Sequence, residues 1–61
     1  MTSGDWLHLA RLHFSTGKSL YVVRDGDPYR LQRRLYKAAR LRGYGWRFKR
    51  DDDRVVIYRG K

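Results

Sequence analysis

Tyr29, Arg33, Tyr36 and Arg40 follow one another at spacings of four, three and four residues. On an α-helix each of those steps returns to the same side, so phenol rings and guanidinium forks fall into one row. Arg30 and Lys37 lie alongside it. A guanidinium presents a planar fork of donors matched to phosphate oxygens, and to guanine O6 and N7 in a major groove. A phenol donates to phosphate or stacks on an unpaired base. The chemistry on offer is recognition of a polyanion. Residues 29–50 hold nine Lys or Arg and no Asp or Glu, so no acid four residues away neutralises the row.

The chain has 61 residues and a formal net charge of +9. Residues 1–28 are balanced, with three cations against three aspartates, and the whole excess falls in residues 29–61. Like charge gathered in one segment makes a directed field and repels itself, which favours a polyanionic partner. The plainer alternative is a surface kept soluble by long arginine stems that snorkel over apolar neighbours. Arginine outnumbers lysine 11 to 4, as in a GC-rich genome. Such a bias supplies acidic residues as readily as arginine, so it does not account for 22 consecutive positions without one.

Other chemistries find little support. Gly17-Lys18-Ser19 resembles the end of a phosphate-binding loop, but that pattern needs glycine where Leu12 stands, and a helix after it. His8 and His13 have opposite parity, so on one regular strand they point to opposite faces and do not share a metal. Asp51-Asp52-Asp53 lacks the spaced oxygen ligands of a calcium loop and reads as a solvated turn. With no cysteine there is neither a disulfide framework nor a thiolate zinc site. No nucleophile–base pair, catalytic carboxylate pair or cofactor fingerprint occurs, so the expectation is a protein that is not an enzyme and carries no cofactor or metal. The N-terminus lacks a signal-peptide layout and no apolar run is long enough to span a membrane, which suggests a cytoplasmic protein.

The elements that must position the row follow from the pattern. Asp27 caps a helix that begins at Pro28, runs to about residue 42 and stops at Gly43. Leu31, Leu35, Ala38 and Ala39 form its inward stripe, opposite the row. Trp46-Arg-Phe-Lys-Arg50 and Arg54-Val-Val-Ile-Tyr-Arg59 alternate as strands of a hairpin over 46–59, tipped by the aspartates. Trp6, Trp46 and Phe48 read as core, which places Arg47 and Lys49 on the uncovered face of the sheet. Residues 6–14 fit neither period cleanly. Ser15-Thr16-Gly17-Lys18 reads as a hairpin turn with a left-handed glycine, and Leu20-Tyr-Val-Val23 as its second strand. That gives a first hairpin over about 6–24; a helix ending at Gly17 is the competing reading. The expected fold is a single α+β domain, ββαββ, with one helix on one face of a four-stranded, largely antiparallel sheet.

The stretch AARLRGYGWRFKRDDDRVVIYR, a basic helix ending in glycine and an aromatic–basic hairpin, resembles short basic proteins of high-GC actinobacteria and their bacteriophages. The resemblance spans roughly residues 27–59 and is one of composition. It implies a setting where small DNA-binding regulators and small inhibitors of host proteins are both common.

Three readings follow. The first is a nucleic-acid-binding protein, preferring duplex DNA and so associated with the nucleoid. Its contacts are Tyr29, Arg30, Arg33, Tyr36, Lys37 and Arg40, assisted by Arg47 and Lys49. The second is a small module or inhibitor that docks the same arginines on an acidic protein partner. The third is single-stranded RNA or DNA stacked on Tyr21 or Tyr58 of the open sheet face. Two open sheet edges and a small core also leave room for a homodimer.

Overall fold

The computed structural model describes residues 2–60. In chain order the elements are α1 (Ser3–Ser15), β1 (Leu20–Val23), α2 (Pro28–Leu41), β2 (Arg47–Asp51) and β3 (Arg54–Tyr58). The three strands form one antiparallel sheet in the order β1-β3-β2.

Residues 6–14 are helix, not strand, and this overturns both the expected ββαββ order and the four-stranded sheet with a single helix. Thr2 caps α1. Its hydroxyl accepts from the Asp5 backbone N–H at 3.2 Å, while the Asp5 carboxylate accepts from the Thr2 backbone N–H at 2.9 Å. This reciprocal lock satisfies two donors that a helix start leaves unpaired. It also holds the Asp5 carboxyl below its ordinary value, through the Thr2 backbone N–H first and the Thr2 side chain second. Leu7, Ala10 and Phe14, spaced three and four apart, then form one buried stripe. Gly17 does sit in the left-handed region, at φ 94°, but it follows the helix C-cap at Thr16 instead of turning a hairpin. A left-handed glycine serves either purpose, and the pattern around it was blurred by Leu9 and Leu12, which face solvent.

β1 therefore has no hairpin partner next to it in the chain. It pairs with β3, Leu20 opposite Tyr58 and Val23 opposite Val55. β3 becomes the central strand: Val55 and Ile57 of its apolar run face the helices, and Val56 is shielded on the other face by its neighbours on β1 and β2. The hairpin of β2 and β3 forms as expected, with Asp52 and Asp53 at its tip.

α2 also forms where its signals place it. The Asp27 carboxylate accepts from the Tyr29 N–H at 3.0 Å, and Pro28 opens the helix without an N–H to lose. At the other end Gly43, at φ 75°, completes a double closure: its N–H reaches the Arg40 carbonyl at 3.1 Å, and the Tyr44 N–H reaches that of Ala39 at 2.9 Å.

Both helices cover the same face of the sheet. Leu7, Ala10 and Phe14 from α1 and Leu31, Leu35 and Ala39 from α2 share one core with Val23, Val55 and Ile57. Trp6, Tyr21, Trp46 and Phe48 pack against it, half-buried. Each large apolar side chain fully buried in that core contributes about 1.5–3 kcal/mol. The opposite face of the sheet is left uncovered. Among the described residues no helix is long and apolar enough to cross a membrane.

Candidate nucleic-acid interface

With Leu31, Leu35 and Ala39 turned inward, α2 presents Tyr29, Arg33, Tyr36 and Arg40 to solvent, flanked by Arg30 and Lys37. The two rings remain accessible, Tyr29 at 60% and Tyr36 at 46%. Six of the eight expected residues thus occupy one helix surface.

The row leans toward β2, which is an edge strand. Gln32 donates its side-chain N–H to the Phe48 carbonyl at 2.8 Å, tying helix to edge and occupying a backbone acceptor that would otherwise invite another strand. The Tyr36 ring meets Phe48 edge-on, with centroids 6.2 Å apart. The Arg50 guanidinium lies over the Tyr29 ring, 4.1 Å from its centroid. Arg40 donates to the Tyr36 hydroxyl at 3.2 Å while its guanidinium stands 5.7 Å from that ring's centroid. Each tyrosine of the row therefore carries a cation. Such pairs hold long arginine side chains near their rings and leave most guanidinium donors free for a ligand.

Most of the row stays unneutralised. The ion pairs among the described residues are Arg24 with Asp53 at 3.5 Å, Arg54 with Asp51 at 3.3 Å and Arg30 with Asp27 at 4.0 Å. All are exposed, where such pairs are worth about 0–1 kcal/mol. Only the last touches the row. Asp5 is held in the α1 cap, and Asp25 accepts from the Trp6 indole N–H at 3.2 Å. Among the described residues no carboxylate lies within ion-pairing distance of Arg33, Lys37 or Arg40.

Arg47 and Lys49 lie apart from the row. The register sets Arg47 opposite Tyr58 and Lys49 opposite Val56, and cross-strand partners share a face. They stand on the uncovered side of the sheet with Leu20, Val22 and Tyr58, turned away from α2. Tyr21 points the other way, toward the helices, with its ring centroid 5.1 Å from that of His13. Of the two tyrosines expected on the open face, that leaves Tyr58.

Arg50 belongs with the row although sequence reasoning did not select it. Its parity with Trp46 and Phe48 already put it on the helix side of β2; the missing information was that α2 begins beside it. The two histidines both sit on α1, His8 exposed and His13 against Tyr21. No cluster of three or more metal-ligating side chains occurs among the described residues. Compared with protein-family models, curated proteins and solved structures, the chain has no significant match.

Proposed function

We propose that this chain is a non-enzymatic nucleic-acid-binding protein that grips duplex DNA along the outer face of α2, in the cytoplasm. The observation that carries the reading is that Arg33, Lys37 and Arg40 have no ion-pair partner among the described residues and stand beside two exposed tyrosines on one helix. A helix of this width enters a major groove, where arginine forks meet phosphates or guanine edges and tyrosines meet phosphates. Arg30 and Arg50 extend the cationic surface at the N-terminal end of the row. Most of the affinity comes from phosphate neutralisation, so it depends steeply on salt.

The test is fluorescence anisotropy of a labelled 20-base-pair duplex of arbitrary sequence between 50 and 200 mM salt. Replacing Arg33 and Arg40 together by alanine removes two phosphate contacts. The slope of log K against log salt is then expected to fall by about 1.8. An unchanged slope excludes this face as the site.

A second reading has its own support. Leu20, Val22 and Tyr58 are 44%, 43% and 37% exposed on the open sheet face, bordered by Arg47 and Lys49. An apolar strip with a basic border suits an acidic protein partner. Failure to bind duplex DNA and RNA at 50 mM salt is the result that favours it.

A further inference from the structure

The largest gathering of aromatic and cationic side chains outside the α2 row lies at one end of the molecule. There the last turn of α1, the end of α2, the loop into β2 and the residue after β3 converge. They enclose an open concavity lined by Arg11, Phe14, Arg42, Tyr44, Trp46 and Arg59. Its floor is aromatic. The Tyr44 and Trp46 rings stack with centroids 4.4 Å apart and an interplanar angle of 21°. Phe14 meets Trp46 edge-on, at 5.0 Å and 84°, which fixes the orientation of the indole.

Its rim is cationic. Arg59 donates one Nη to the Phe14 carbonyl at 3.1 Å, and Arg42 donates one Nη to the Ala38 carbonyl at 3.1 Å. The Arg59 bond uses a single donor and leaves the rest of its fork available, whereas the Arg42 guanidinium turns back along α2 and packs against Gly4. Among the described residues no carboxylate lies within ion-pairing distance of Arg11, Arg42 or Arg59. Arg11 and Arg59, like charges beside an apolar floor, repel one another and favour a ligand that is flat on one part and anionic on another.

We infer that this concavity binds an unpaired nucleotide, with its base on the Tyr44–Trp46 floor and its phosphate against Arg11 and Arg59. A base within a duplex is already stacked on both sides and does not offer a face to the floor, so the ligand is a strand end, an overhang or a looped-out base. The site goes beyond the α2 reading and uses none of its residues. Either can fail without the other.

Trp46 reports on its own occupancy. With Trp6→Phe it is the only tryptophan, and a base added to the Tyr44–Trp46 stack lies close enough to quench its emission. The probe is 5′-phosphorylated pentathymidylate at 20 mM salt, with circular dichroism verifying that each variant is folded. Saturable quenching is expected, and Arg11→Ala, which removes an exposed side chain, should weaken it roughly three- to tenfold. Arg33→Ala with Arg40→Ala should leave that quenching within twofold of the parent while lowering duplex affinity. A blunt duplex should leave the emission unchanged. The inference is overturned if pentathymidylate up to 1 mM does not quench, or if Arg11→Ala quenches as tightly as its parent. It is overturned too if the blunt duplex quenches equally, or if inorganic phosphate alone binds as tightly as the oligonucleotide. Quenching with no duplex binding would support this site while removing the α2 proposal; duplex binding without quenching would do the reverse.

Discussion

The guanidinium of Arg50 stands 4.1 Å from the centre of the Tyr29 ring, across the gap between the edge strand β2 and the first turn of α2. Both side chains are exposed, so the contact is expected to be worth about 0.5–1 kcal/mol. A double-mutant cycle of Tyr29→Ala and Arg50→Ala, read by urea denaturation, should return a coupling of that size. Zero coupling would mean that the two side chains do not hold each other, and Arg50 would lose its place beside the α2 row.

Leu7 is 1% exposed, whereas Leu9 is 37% and Leu12 52% exposed. Leu7→Ala should cost about 2–5 kcal/mol. In a domain of this size that is enough to unfold much of the population at 25 °C. Leu12→Ala should stay within about 0.5 kcal/mol of the parent. Leu9→Ala carries the contrast: on a strand it would share the face of Leu7 and match its loss, whereas on α1 its cost should be a small fraction of that. Chemical denaturation of the three variants decides between the two.

Asp5 is held below its ordinary 3.8 by the Thr2 backbone N–H and then by the Thr2 side chain. A depressed carboxyl contributes stability that is fully present above its unfolded value and lost as pH falls through the folded one. The first turn of α1 should therefore loosen only in acid. The Thr2 amide resonance should titrate with a midpoint below 3.8, and Asp5→Asn should abolish that titration. A midpoint at or above 3.8 would show that the reciprocal cap does not form in solution.

Asp52, at the tip of the β2–β3 hairpin, has a φ of 61°. Aspartate tolerates this left-handed conformation better than most residues, but glycine adopts it without a Cβ penalty. Asp52→Gly is expected to raise stability by about 1 kcal/mol, equivalent to roughly 4–8 °C in Tm for a chain of this size. Asp52→Val should lower it. Calorimetry on the pair checks the sign, and a drop in Tm for the glycine variant would contradict the turn geometry.

α2 and the β2–β3 hairpin were legible because their signals are local and agree with one another. Asp27-Pro28 starts a helix well, Gly43 ends it well, and four apolar residues between them lie on one side. Of the row's own geometry, the spacing of Tyr29, Arg33, Tyr36 and Arg40 was enough. α1 was not legible in the same way. Its capping pair, Thr2 and Asp5, lies outside the 6–14 span whose pattern suggests a strand, and Leu9 and Leu12 add apolar residues on the side that faces water.

The sequence by itself determined the charge imbalance, the basic helix and the aspartate-tipped hairpin, since each depends on neighbours a few positions apart. Tertiary structure decided which strand β1 joins, that a second helix shares the covered face, and that Arg50 meets Tyr29 while Arg47 and Lys49 turn away. It also decided that Arg11, Arg42 and Arg59 line one concavity with Trp46. These outcomes depend on residues up to 48 positions apart in the chain. Their pairing is fixed by which apolar faces can be buried together, and no local pattern encodes that choice.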